Sequence, residues 1–186
     1  MMKEAGYKHY EISNAALPGF ESRHNLKYWL GEEYMGFGPS AHSYFGGRRY
    51  SFVRDLDIYV NGVLHNGKII DESSLVNRRE RGREYLMLRM RTVRGVEESE
   101  YRRTFYMNFD PLEDRFREYR DYGWAECTDG RWHFTPSGFL LSNPLIGDLL
   151  AIQEETALET MRPIRLKRME AERRQEQEKR QTKRKT

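Results

Sequence analysis

The chain has 186 residues, enough for one ordinary domain or two small ones. Its net charge of +3 hides an asymmetry: residues 162–186 carry eleven Lys/Arg against four Glu, so residues 1–161 are mildly acidic, which argues against a nucleic-acid-binding body. A single cysteine, Cys127, excludes an intramolecular disulfide and a Cys-only metal site built from these residues; with no apolar run of membrane-span length and no signal-like opening, the expected compartment is the cytosol.

In chain order, Lys3–Gly6 reads as a helix end with Gly6 as its stop. Tyr7–Ser13 alternates as a strand and Asn14–Gly19 as a turn. Ser22–Trp29 suits a short helical turn. Glu33–Ser43 reads as a strand with a Gly/Pro-rich exit, and Gly46-Gly47 as a hairpin turn into Arg48–Phe52. Asp55–Asn61 has helical spacing of Leu56, Tyr59 and Val60.

A second region starts near Ser73, with Ser74 as the cap of a long helix reaching Arg91. Glu97–Phe105 and Pro111–Tyr122 are further helices, the latter with Leu112, Phe116 and Tyr119 on one face. Thr128-Asp129-Gly130 is a hairpin turn between two short strands, and Phe139–Ile152 is a last apolar helix. The pattern predicts an α+β fold in three parts: 1–72, a helical, winged-helix-like 73–153, and a charged tail 154–186, helical or disordered.

Three segments in order carry a family resemblance. Tyr10-Glu11-Ile12-Ser13-Asn14-Ala15-Ala16-Leu17-Pro18-Gly19 is similar to a YEISNFARPG segment, with Ala15 for the usual Phe. His24-Asn25-Leu26-Lys27-Tyr28-Trp29 fits HNxxYW. Gly36-Phe37-Gly38-Pro39-Ser40-Ala41-His42-Ser43 is similar to GFGPGAHS, with Ser40 for the usual Gly. Together they resemble the C-terminal part of HemW/HemN-family radical SAM proteins (oxygen-independent coproporphyrinogen III oxidase-like), over roughly residues 1–150. His42 and the HNLKYW run favour the heme-chaperone HemW branch.

The resemblance implies that residues 1–72 are the end of a partial (β/α) barrel, followed by a HemN-like C-terminal domain. It also implies porphyrin metabolism, with a [4Fe–4S] cluster on CxxxCxxC and S-adenosylmethionine in full-length members. These 186 residues lack those cysteines, so the expectation is a fragment that is not catalytic alone. Its expected partners are an N-terminal radical SAM half and heme-acceptor proteins.

On the same ground His24 is the candidate heme-iron ligand, with Asn25, Tyr28 and Trp29 around the macrocycle. Ala16, Gly36, Gly38 and His42 are the candidate wall of the S-adenosylmethionine pocket, the glycines permitting close backbone approach. Cys127 is expected to be a small packed residue in a strand, and His9, His65 and His133 fit no ligand spacing. Two other readings compete: a nucleic-acid-binding winged-helix module with a basic tail, and the inactive half of a split gene product.

Overall fold

The computed structural model describes residue 2 and residues 4–159. The expected tail therefore lies outside the described residues beyond 159.

Strands β1 (Lys8–Glu11) and β2 (Asn14–Ala16) form an antiparallel hairpin, so the expected turn from Asn14 is itself partly strand. Glu11 closes it. Its fully buried carboxylate accepts from the Ser13 N–H at 3.0 Å and from the Asn14 side-chain amide. The hairpin is tied to the body where the Ile12 N–H donates to Arg91 O at 2.8 Å and the Val93 N–H to Tyr10 O at 3.2 Å.

Helix α1 (Arg23–Trp29) follows. The strand expected over Glu33–Ser43 is mostly irregular. Gly38 (φ +106°) and Ser40 (φ +60°) turn the backbone out of extended conformation, and before His42 only Tyr34 pairs, bridging to Tyr44. Strands β3 (His42–Phe45), β4 (Arg48–Phe52) and β5 (Ile70–Leu75) make an antiparallel sheet in that order, with Gly46-Gly47 turning β3 into β4 as expected. Between β4 and β5 runs α2 (Leu56–Leu64), capped by the Asp55 carboxylate, which accepts from the Ile58 N–H at 2.9 Å.

Ser74 is not a helix cap: it sits inside β5, paired with Arg49 of β4. Helix α3 (Arg78–Arg89) starts three residues later because Asn77 and Glu80 form a reciprocal capping box, each side chain accepting the other's N–H at 3.0 Å. Two such bonds outweigh the single bond that a serine offers.

The short strand β6 (Val96–Glu97) leads into α4 (Glu98–Phe105) and α5 (Asp110–Asp121), then the hairpin β7 (Ala125–Thr128) and β8 (Arg131–Phe134). β6 joins that hairpin on the β8 side to give the order β6-β8-β7, a third strand too short to show in the sequence pattern. Gly95 makes the junction possible. Its φ is +61°, and a Cβ there would lie 2.0 Å from Trp132 O.

The last apolar helix is two helices. α6 (Pro136–Leu140) ends at Leu141, and α7 covers residues 142–159. Pro144 has no N–H, and its ring crowds the carbonyl four residues back, so it fits the first turn of a new helix and not the middle of a continuous one.

Apolar burial concentrates after Val76. Leu86, Met90, Val96, Tyr101, Phe109, Leu112, Phe116, Phe134 and Leu149 are almost fully buried, and Phe116 stacks on Trp132 with centroids 5.4 Å apart. On α7 the buried positions Leu145, Ile146, Leu149, Leu150, Gln153 and Ala157 keep helical spacing. Helices α1 and α2 and strand β5 bury no residue. Cys127 is exposed, contrary to expectation, because burial along the outer strand β7 stops at Ala125.

Candidate functional site

Ser22 starts α1, its Oγ accepting the Asn25 N–H at 3.3 Å. The backbone of Asn25 is thus what the cap uses. His24 and Tyr28 lie four residues apart on one helix face. The Tyr28 hydroxyl is 3.2 Å from His24 Nε2, and the rings meet edge-on at 5.1 Å. Tyr28 also packs edge-on against Tyr34 at 4.7 Å. Paired backbone hydrogen bonds of 2.8 and 2.9 Å then fix Tyr34 to Tyr44 of β3. An aromatic ladder therefore runs from the helix to the sheet, with His24 and Tyr28 exposed at its outer end.

Behind this ladder is a groove of about 430 Å³ between α1 and α3. Tyr28, Trp29, Tyr34 and Tyr44 line one side, and Arg81, Leu88 and Phe105 the other. His24 stands outside the lining and reaches it through Tyr28. So three of the four predicted heme residues, His24, Tyr28 and Trp29, converge on one place, while Asn25 is exposed on the same helix.

A charged network forms the groove floor. Glu100 accepts from the Tyr85 hydroxyl at 3.0 Å, from Arg89 Nη2 at 3.4 Å and from Arg131 Nη1 at 3.5 Å. Burial, with Glu100 beside it, pushes the Tyr85 phenol up from 10.0 to about 12. Burial also lowers the Arg89 guanidinium from its ordinary value, and Glu100 opposes that. Arg89 is 7% exposed, and its Nε and Nη1 are buried without a hydrogen-bond partner among the described residues. Arg49 is paired with Glu84 at 2.9 Å.

Sequence reasoning missed this wall. Arg81, Tyr85 and Arg89 are spaced by four, one face of a helix, and that was the available signal.

The second predicted group divides. Gly36 and His42 touch through their backbones: a Cβ on Gly36 would lie 2.5 Å from His42 O. The Gly36 N–H donates to Ser43 Oγ at 3.0 Å and the Gly38 N–H to the Tyr59 hydroxyl at 3.1 Å. His42 is exposed at the start of β3. Ala16 is buried on β2, in a different sheet. Among the described residues no three His, Cys, Asp or Glu side chains are grouped to hold a metal ion.

The chain is 31% identical over 150 residues to the heme chaperone HemW of Bacillus subtilis, covering 80% of this chain and 40% of that protein. It is 32% identical over 144 residues to the Lactococcus lactis HemW, covering 77% of this chain and 38% of that protein. This is a HemW-related chain. The Synechocystis HemW matches at 30% over 175 residues, covering 83% of this chain and 42% of that one. The chain thus spans about two fifths of the length of the HemW relatives it matches. No family model matches it. In fold it resembles the Escherichia coli coproporphyrinogen III oxidase HemN, a radical SAM enzyme, with a TM-score of 0.58 at 15% identity over 82% of this chain and 38% of that one. The fold is accordingly mixed α and β, as the sequence predicts.

Proposed function

We propose that this chain contributes the heme-contacting part of a HemW-like heme chaperone, with His24 as iron ligand and Tyr28 and Trp29 against the macrocycle. The observation that carries this reading is the convergence of His24, Tyr28 and Trp29 on α1 at the mouth of an aromatic-lined groove. An exposed imidazole beside edge-on aromatic rings suits a flat iron porphyrin. Asn25 holds the start of α1 through its backbone.

The barrel-end character of residues 1–72, the winged-helix-like character of 73–153 and the tail from 154 belong to the same proposal. Support comes from the unequal burial. α1, α2 and β5 have no buried residue, and Leu56, Ile58, Val63 and Leu64 of α2 are exposed. Such surface calls for a further covering layer, and an N-terminal radical SAM half is the partner proposed for it. Heme-acceptor proteins are the proposed downstream partners. Ala16, Gly36, Gly38 and His42 are the proposed contribution to an S-adenosylmethionine wall, where the tight Gly36–His42 approach suits a backbone cradle.

These residues do not fit a [4Fe–4S] cluster by themselves. The one cysteine is exposed on β7, so no cluster step is assigned to them. No helix among the described residues is long and apolar enough to cross a membrane; the cytoplasm is the proposed location.

The nucleic-acid reading is not favoured. On α5, Arg115, Arg117 and Arg120 each lie within ion-pairing distance of an acid: Glu118 and Asp148, Glu113 and Asp114, and Asp121. Those cations are already engaged, which leaves little for phosphate.

Hemin titration of the chain and of His24→Ala, followed by the Soret band, tests the heme reading. Loss or displacement of the band in the variant is the expected result. An unchanged spectrum and affinity removes His24 as ligand.

A further inference from the structure

Three acids line the groove between α1 and α3, and two are engaged. Glu84 is held by Arg49, and Glu100 is shared by Tyr85, Arg89 and Arg131. Glu32, at the end of α1, is exposed. The lining cations are less satisfied. Arg81 makes no side-chain hydrogen bond or ion pair with the described residues. Arg89 shares its one acceptor with two other donors, and its Nε and Nη1 have none. A buried guanidinium with two idle nitrogens is costly, and a carboxylate is the acceptor whose shape fits its fork.

We infer that this groove is a carboxylate site that holds the propionate side chains of a porphyrin, with Arg81 as the outer cation and Arg89 as the inner one. The inference rests on the porphyrin reading above and deepens it. The aromatic side of the groove, Tyr28, Trp29, Tyr34 and Tyr44, receives the flat edge that carries those carboxylates. Arg81 and Arg89 stand two helical turns apart on one face of α3. A ligand carboxylate meets the exposed Arg81 first; Nε and Nη1 of Arg89 are closed to solvent, so a second carboxylate gains them only by displacing the side chains that cover them. His24 lies outside the groove lining, where an iron at the macrocycle centre would need it, beyond the propionate edge.

The test uses metal-free protoporphyrin IX and its dimethyl ester, titrated into the full chain and followed by porphyrin fluorescence. The same titrations are made on Arg81→Ala and Arg89→Met. Arg81 is exposed, so its variant keeps the fold, and circular dichroism checks that Arg89→Met does too. The free acid is expected to bind about tenfold more tightly than the ester to the unmodified chain, the joint value of the Arg81 and Arg89 contacts acting together. That preference is expected to shrink to about twofold or less in each variant. Equal binding of acid and ester, or a preference unchanged in Arg81→Ala, overturns the inference. Because neither probe contains iron, the hemin result is separate. Hemin binding that depends on His24 without an acid preference removes the carboxylate site alone. An acid preference that depends on the arginines, with hemin indifferent to His24, removes the iron ligand alone. No binding of the metal-free porphyrins removes the carboxylate site, and no binding of hemin as well sinks both.

Discussion

The Tyr28 hydroxyl and His24 Nε2 are 3.2 Å apart, so this imidazole nitrogen already has a partner. In the tautomer with Nε2 unprotonated the hydroxyl donates to it, and the proposed iron ligation would have to displace that bond. In Tyr28→Phe the competitor is gone while the ring contact remains. Hemin should then bind about threefold more tightly than to the unmodified chain, the value of a weak exposed hydrogen bond. Equal or weaker hemin affinity in Tyr28→Phe would show that the hydroxyl does not compete for the nitrogen.

Glu100 is the acceptor that holds Tyr85, Arg89 and Arg131 together. Glu100→Gln leaves the buried Arg89 charge without a counter-ion and should lower stability by about 3 kcal/mol in urea denaturation. Arg89→Met should cost less than about 1 kcal/mol, because Glu100 keeps Tyr85 and Arg131. Similar losses in the two variants would mean that the network does not hinge on Glu100.

Alkaline pH should unfold the protein through its phenols. Burial raises Tyr85 from 10.0 to about 12, and it raises Tyr101 and Tyr119 as well, the latter with Asp148 adding to it. Raised phenols mean that the unfolded chain releases these protons first. The stability they protect is complete below pH 10.0 and is lost as pH climbs towards about 12. Denaturant midpoints should hold level from pH 7 to 9 and fall steeply above 10, together with tyrosinate absorbance. A flat midpoint through pH 11 would contradict these burials.

Ser40 occupies a left-handed conformation, φ +60°, at the position where the family pattern has glycine. Ser40→Gly relieves that strain and should raise stability by about 1 kcal/mol. Gly95→Ala should do the reverse and cost about 3 kcal/mol or more, since its Cβ would lie 2.0 Å from Trp132 O. Thermal melts of the two variants decide both signs.

Local patterns in the sequence were enough for the pieces that depend on neighbours along the chain. Ser22 before α1, Asp55 before α2, the glycine pair between β3 and β4 and the hairpin around Asp129-Gly130 all act through bonds within a few residues, so they were legible. So was the apolar face of α5. The extent of β5, the two-residue β6 and the exposure of Cys127 depend on strands and layers distant in the chain, and tertiary packing decided them. The groove was decided the same way. Its two walls, α1 and α3, are some fifty residues apart in sequence, and only folding brings the aromatic ladder of one against the arginines of the other.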